Sequence, residues 1–73
     1  RLAKAQFQLA QMHANGEGVP QDYAEAAKWY KLAANQGHTK AQFQIGMLYK
    51  KGLGVAQDYT TATRWLKQSI DGE

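Results

Sequence analysis

The amino-acid sequence predicts an all-α protein of four helices arranged as two helix-turn-helix repeats. Three observations support this prediction. The chain matches itself when it is shifted by 36 positions, so that Trp29 returns as Trp65. Apolar residues recur with a helical period in four segments. No segment alternates between apolar and polar residues for long enough to indicate a strand.

The internal repeat has no gap and covers nearly the whole chain. The tetrapeptide Ala-Gln-Phe-Gln stands at 5–8 and again at 41–44, and Gln-Asp-Tyr stands at 21–23 and again at 57–59. We therefore assign residues 1–73 to a single repeat domain, with repeat one at about 1–37 and repeat two at about 38–73. Because the chain starts at Arg1 and not at Met, we expect it to be a processed segment of a longer chain.

The first helix is predicted to begin near Leu2 and to end before Gly16. Its apolar residues form two stripes, which is typical of a helix that packs between neighbours. Gly16 ends the helix because glycine enters the left-handed cap conformation without penalty. In the loop that follows, Pro20 disfavours a helical backbone at Val19.

The second helix is predicted from about Tyr23 to Gln36, before Gly37. Asp22 is a good N-cap residue, and Glu25 three residues later completes a capping-box pattern. We also expect both tryptophans of the chain to lie in the core, each with a hydrogen-bond partner for its indole N–H.

Repeat two predicts a third and a fourth helix in the same way. Thr39 is predicted to cap the third helix, with Gln42 at the capping-box position, and Gly52 to end it. Asp58 is predicted to start the fourth helix, which carries Trp65. Alanine and glycine on these helices would let the helix axes approach closely.

Composition excludes several classes of protein. The 73 residues are 44% hydrophobic and 21% charged, which is a globular profile and not a disordered one. The absence of cysteine excludes disulfides and thiolate metal sites, and two histidines argue against an all-histidine metal site. No apolar run approaches the roughly 18 residues of a membrane span. Cytoplasm and periplasm are both compatible with the sequence.

The net charge of +3 does not indicate a nucleic-acid partner. The longest basic run is Lys50-Lys51, and the other basic residues are scattered, whereas nucleic-acid-binding proteins usually cluster them. We interpret the basic residues as a solvated surface.

Catalytic chemistry is not indicated either. The glycine pair Gly16 and Gly18 lacks the lysine and Ser/Thr of a phosphate-binding loop, and no strand precedes it. Ser69 is the only serine and is distant in sequence from His13, which we expect to be a partly buried structural residue. His38 is expected to be solvated.

Three of the six carboxylates are explained by helix capping, Asp22 and Asp58 as caps and Glu25 as a capping-box partner, and the others form no convincing acid–base pair. We therefore predict no enzyme activity, no metal and no cofactor.

The residues at fixed positions of each repeat resemble the sequence pattern of a known repeat family. Repeat one carries Ala5-Gln6-Phe7-Gln8-Leu9, Gly16-x-Gly18-Val19, Asp22-Tyr23-Ala24-Glu25-Ala26 and Trp29-Tyr30-Lys31-x-Ala33-Ala34-x-x-Gly37. This pattern resembles the Sel-one-like repeat (SLR) family, which is related to the tetratricopeptide repeats. The resemblance implies an α/α right-handed superhelix (a solenoid) that scaffolds protein complexes and is widespread in bacteria.

The chain departs from the family pattern at several positions. Ala10 stands where the family has glycine, and His13 and Leu66 stand where it has tyrosine. Ser69 and Ile70 replace a pair of alanines near the end. These late changes favour a terminal helix with no regular repeat behind it.

One polar helix face is not explained by packing. In related helical solenoids the first helix of each repeat lines the concave surface, so stacking would align these faces into one strip. Glutamine amides can donate to and accept from a peptide backbone, and methionine adapts to varied partners. We predict a protein or peptide partner bound by eight residues of this strip: Lys4, Gln8, Gln11, Asn15, Lys40, Gln44, Met47 and Lys51.

Three alternatives remain open from the sequence. The strip can be an ordinary wet helix face. The chain can be a purely structural segment of a longer solenoid, or an accessory domain of a cell-envelope enzyme or ligand-binding protein. Lys31 and Lys67 also align at the 36-residue offset, but on the convex side, where we expect no groove for a peptide.

The ends of the repeat array are expected to expose apolar side chains. Repeat proteins are stabilised by contacts between neighbours, and two repeats leave one face uncovered at each end. These faces are predicted near Leu2 and Phe7 and near Trp65 and Ile70. Weak self-association through the exposed ends is the expected consequence.

Overall fold

The structure, a computed structural model, describes residues 2–71, and in this range it contains four helices and no strand. They are α1 (Ala3–Asn15), α2 (Tyr23–Ala34), α3 (Thr39–Lys51) and α4 (Tyr59–Asp71). The all-α prediction of two helix-turn-helix repeats is confirmed. Among these helices, none combines the length and the hydropathy needed to cross a bilayer.

The second helix of each repeat begins at the predicted aspartate. Asp22 accepts hydrogen bonds from the backbone N–H groups of Ala24 and Glu25 at 3.0 and 3.2 Å. Asp58 accepts from the backbone N–H and the hydroxyl of Thr61 at 3.2 and 2.9 Å. These two bonds hold the pKa of the Asp58 carboxyl below its ordinary value near 3.8, because they favour the ionised form.

The predicted cap of α3 is wrong. His38, and not Thr39, caps the helix, because its backbone is extended and its Nδ1 accepts from the N–H of Ala41 at 3.2 Å. The side chain of Gln42 does not form the capping-box hydrogen bond with the start of α3. Its side-chain Nε2 donates instead to the carbonyl of Ala34 at 3.2 Å, which ties the start of repeat two to the end of α2.

Glu25 does not form the predicted capping box. Its Oε1 accepts from the indole N–H of Trp29 at 3.2 Å, one helical turn further along. Trp29 and Trp65 are half-buried and pack against the edge of the core, whereas we expected both inside it. In repeat two Thr61 occupies the position of Glu25, and within residues 2–71 the indole of Trp65 has no hydrogen bond.

Glycine ends the first helix of each repeat as predicted. Gly16 and Gly52 have left-handed φ values of 70° and 71°. Helix α2 stops at Ala34, which is earlier than the predicted Gln36. The chain then turns through Gly37, whose φ is 85°, into the cap of α3.

The hairpin loop is anchored in the same way in both repeats. Gln21 donates from Nε2 to the carbonyl of Ala14 at 2.9 Å, and Gln57 donates to the carbonyl of Lys50 at the same distance. Each bond satisfies a carbonyl that the end of the helix leaves without an intrahelical partner.

The core lies between successive helices and consists mainly of alanine. Helix α2 contacts both α1 and α3, and α3 contacts α4. The molecule measures 33 × 28 × 13 Å, so it is a thin slab in which small side chains let neighbouring helices approach closely. The buried hydrophobic residues are Phe7, Ala10, Ala26, Ala27, Tyr30, Ala33, Ala34, Ala41, Ile45, Leu48 and Ala62.

The start of α3 covers an aromatic cluster at the junction of the repeats. The ring of Phe7 lies 5.6 Å from that of Tyr30 and stacks on that of His38 at 4.7 Å, measured between ring centroids. Burial raises the pKa of Tyr30. We expected Phe7 to lie at an exposed end, which is wrong because it is only 8% exposed. We also expected His38 to be solvated, which is wrong because it is half-buried. The expected exposed ends are present at Leu2 and Ile70.

Candidate functional site

A groove runs over the side of the molecule that α1 and α3 form. It consists of three adjoining cavities of about 550, 520 and 350 Å³. Gln11 lines all three, and Lys40 and Gln44 each line two, so the cavities form one continuous surface. Every residue of the predicted strip lines this groove: Lys4, Gln8, Gln11, Asn15, Lys40, Gln44, Met47 and Lys51.

The helical period explains why these side chains meet. Within each helix they are spaced three or four residues apart and therefore share one face. The identical offset in both repeats places the two faces side by side. Gln11, Gln44 and Met47 are half-buried, and the other strip residues are exposed.

The groove is basic, and its side-chain amides are not saturated with internal hydrogen bonds. Within residues 2–71 the side-chain amides of Gln8, Gln11 and Gln44 form no hydrogen bond. Lys4, Lys40 and Lys51 contribute positive charge, and among residues 2–71 no carboxylate lines any of the three cavities. A ligand in this groove would meet free amide donors and acceptors in a positive potential.

The groove contains an exposed apolar side chain besides Met47 that the predicted strip does not include. Phe43 is 47% exposed and lines the largest cavity together with Ser69 and Ile70. The spacing contained the signal, because Phe43 follows Lys40 by three residues and precedes Met47 by four.

The other end of the groove is closed by residues that sequence periodicity could not place there. Tyr23 and Tyr30 of α2 and Leu53 of the second hairpin loop line the 350 Å³ cavity. They reach it only because repeat two packs against repeat one, so tertiary contact decides their position.

A smaller cavity of about 220 Å³ lies at the junction of α2 and α3, away from the strip. Lys28 and Lys31 line it together with Ile45 and Tyr49. The side that carries Lys31 therefore has a small cavity, which the sequence did not predict.

The residues considered for catalysis do not form a site. His13 is half-buried, as predicted, and its buried Nδ1 has no hydrogen-bond partner in the described chain. The hydroxyl of Ser69 donates to the carbonyl of Leu66 at 2.7 Å. Across residues 2–71, no three His, Cys, Asp or Glu side chains are grouped so that they could hold a metal ion.

Comparison with known proteins identifies both repeats. The Sel1 repeat family model matches residues 3–38 and 39–72. The crystal structure of c5321, a protective antigen present in uropathogenic Escherichia coli strains and displaying an SLR fold, is similar with 40% sequence identity and a TM-score of 0.94. It matches over 94% of this chain and 15% of its own length.

A second solved structure, a Sel1 repeat protein from Oxalobacter formigenes, is similar with 33% identity and a TM-score of 0.93. This match covers 94% of the present chain and 28% of that protein. The chain thus spans less than a third of either bacterial protein. No curated protein matches the chain in sequence.

Proposed function

The chain belongs to the Sel1 repeat family, whose members are generally protein-interaction scaffolds, and we propose that it binds a protein or peptide partner through the groove over α1 and α3. One observation carries this proposal. Two different helices place eight strip residues on one continuous groove, and the glutamine amides among them form no hydrogen bond within residues 2–71. Neither packing between the helices nor helix capping explains this surface.

The amides favour an extended polypeptide as the ligand. The backbone of an extended segment presents N–H and C=O groups that need partners when water is removed. Gln8, Gln11 and Gln44 can each donate and accept. A row of such amides therefore fits a peptide backbone without dictating its side chains.

The remaining groove residues favour an acidic segment with an apolar side chain. Phe43 and Met47 supply apolar contact area, and Lys4, Lys40 and Lys51 supply charge. Since the lysines are exposed, they contribute more to the association rate and to its salt dependence than to affinity.

The test begins with a partner selected without bias. Random peptides displayed on phage are selected on the 73-residue chain, and binding of a selected peptide is measured by titration calorimetry. We expect the double substitution Gln44→Glu with Met47→Glu to weaken binding by roughly 1–3 kcal/mol, the range of a modest hot spot. Circular dichroism should show unchanged helical content.

The control is Lys31→Glu with Lys67→Glu, which alters the second helix of each repeat. It should change affinity little at physiological salt, where exposed charges are screened. If this pair abolished binding and the groove pair did not, the small cavity at the α2–α3 junction would be the binding surface.

A second candidate function is that of a structural segment within a longer solenoid. The matches to only 15% and 28% of the two solved relatives favour it. Recovery of no peptide above background, with the fold intact, would support this second function and reject the first.

A further inference from the structure

The cavity of about 350 Å³ at the closed end of the groove contains a hydroxyl group that the fold does not use. Tyr30 lines this cavity and is only 3% exposed, and its hydroxyl forms no hydrogen bond within residues 2–71. In the same range, the fully buried side-chain polar atoms without a partner are His13 Nδ1 and Gln42 Oε1. The hydroxyl of Tyr30 is not one of them, so it remains accessible, and it reaches solvent through the cavity that the residue lines.

Packing between the helices does not require this hydroxyl. At the equivalent position of repeat two, Leu66 packs against α3, where a Cβ added to Gly46 would lie 2.9 Å from the leucine side chain. An apolar side chain is therefore sufficient at this position. A hydroxyl held in a largely buried site needs a hydrogen-bond partner, and a ligand in the cavity would supply one to Tyr30.

The polar side chains that share the cavity with Tyr30 can all donate hydrogen bonds: Gln11, Asn15, Tyr23, Gln44 and Lys51. None of these side chains forms a hydrogen bond within residues 2–71. Burial, and to a smaller extent the neighbouring phenol of Tyr23, raise the pKa of Tyr30, so its hydroxyl keeps its proton and can donate. Such a set of donors beside an ammonium group fits an anion, which offers only acceptors.

The helix ends beside the cavity do not reverse this preference. Helices α1 and α3 both end here, and free carbonyls at a helix C-terminus favour a cation. The carbonyls of residues 48–50 in α3, however, accept hydrogen bonds at 2.8–3.0 Å from the loop that follows. The carbonyls of residues 12–14 in α1 accept in the same way at 2.8–2.9 Å. The side-chain donors and Lys51 therefore decide the sign of the ligand.

The position of the cavity suits the end of a peptide and not its middle. Tyr23 and Leu53 close the groove here, and every lining residue lies between positions 11 and 53, within the two repeats. Lys40 and Lys51 are 11 positions apart on α3, which corresponds to a rise of about 16 Å. About five extended residues span this distance.

We propose that this cavity, here called the carboxylate pocket, binds the free C-terminal carboxylate of the peptide partner. The inference rests on the proposed function and adds the direction of the peptide, which lies along α1 and α3 with its carboxyl end between Asn15 and Lys51. The hydroxyl of Tyr30 donates to the carboxylate, and the ammonium group of Lys51 pairs with its charge.

Random peptides displayed on phage in two ways test the proposal, with a free carboxyl end or with that end fused to the coat protein. We expect the chain to select peptides from the first library. Titration calorimetry should show that amidation of the carboxyl end of a selected peptide weakens binding by roughly tenfold or more.

The outcomes separate this proposal from the proposed function. An amidated peptide that binds as tightly as the free acid would overturn the carboxylate pocket and leave the proposed function intact. So would a peptide whose affinity depends on an internal aspartate or glutamate and not on its carboxyl end. Recovery of no peptide from either library would reject both.

Tyr30→Phe tests the hydroxyl alone. It should weaken binding of the acid peptide about tenfold and change binding of the amidated peptide less than about twofold, because the lost donor faces the carboxylate. Thermal unfolding should be unchanged, since the hydroxyl has no partner within residues 2–71. Lys51→Gln should weaken the acid peptide about threefold, and less at high salt. Equal losses for the acid and the amidated peptide in both variants would exclude a carboxylate as the bound group.

Tyr49→Phe and Lys50→Gln are the matched controls. Tyr49 is half-buried, and its hydroxyl also lacks a hydrogen bond within the described residues, but it lines the small cavity at the α2–α3 junction. Lys50 is exposed beside Lys51 and lines none of the three groove cavities. Both controls should bind the acid peptide like the wild type. A control as impaired as the pocket variant it matches would overturn the assignment of the carboxylate to this pocket.

Discussion

Phe7 and Phe43 are the same residue at the same position of two repeats, yet their surroundings differ. Phe7 is 8% exposed and stacks on His38, the residue that opens the next repeat. Phe43 is 47% exposed, and no aromatic ring contact is found for it among the described residues. The difference shows that burial at this position is decided by the neighbouring repeat, since the residue itself is the same.

The glycines of the hairpin loops show the same contrast on the backbone. Gly18 and Gly54 have left-handed φ values of 76° and 75°. Both positions therefore impose the same conformational demand. Only Gly54 carries a second constraint, since its missing side chain makes room for the backbone of Tyr23.

Truncation of the two phenylalanines should give the largest effect. Phe7→Ala is expected to lower the free energy of unfolding by about 3 kcal/mol, because it leaves a cavity beneath Tyr30 and His38. Phe43→Ala should cost about 1 kcal/mol, since half of its area is already in water. Urea unfolding, at concentrations that keep the chain monomeric, measures both. Equal losses of unfolding free energy in the two variants would mean that the contact between the repeats does not bury Phe7.

Substitution of Gly18 and Gly54 should distinguish the stability contributed by the contact between the repeats from that contributed by the loop conformation. Gly18→Ala and Gly54→Ala both place an L-residue in the left-handed region, at a cost of about 1 kcal/mol. Gly54→Ala should lose about 2 kcal/mol more, because its Cβ would overlap the start of α2. Thermal unfolding of the two variants compares them directly. A Gly54 variant as stable as the Gly18 variant would contradict the close contact.

The tryptophans offer a smaller contrast. Glu25→Ala should lower the free energy of unfolding by about 1 kcal/mol, because the Trp29 indole loses its acceptor. Thr61→Ala, at the equivalent position of repeat two, should leave the fluorescence of Trp65 unchanged, since this indole has no such partner in the part of the chain that the structure describes. Near-ultraviolet circular dichroism would record the change around Trp29. An identical spectral change in both variants would rule out a specific role for Glu25.

The smallest expected effect is on the pH dependence of folding stability, through the carboxyl group of Asp58. The pKa of Asp58 is lowered in the folded state, chiefly by the backbone N–H of Thr61. The stabilisation is therefore present above the unfolded value near 3.8 and is lost as the pH falls through the lower folded pKa. Asp58→Asn should be less stable than the wild type near neutral pH, and the difference should vanish in acid. Helicity of both proteins followed from about pH 6 to about pH 2 tests this. A stability difference between wild type and variant that grew in acid would contradict the role of Asp58 as an ionised helix cap.

The sequence alone determined the features that depend on contacts near in the chain. Asp22 and Asp58 cap helices, and Gly16 and Gly52 end them, because a cap or a left-handed residue acts on the backbone within one turn. The 36-residue offset predicted the strip over α1 and α3, since residues spaced three and four apart share a helix face. Even Phe43 could have been assigned to that face from its spacing.

The tertiary structure decided what each side chain does at the joint between the repeats. His38 has the sequence context of a solvated turn residue, yet it caps α3 and covers Phe7. Gln42 stands where a capping box is expected, yet it bonds to the end of α2. The physical reason is that a buried surface or a hydrogen bond between repeats depends on which helix lies opposite. Positions that hold the same residue in both repeats, such as Phe7 and Phe43, therefore differ in burial, because repeat two covers the first and not the second.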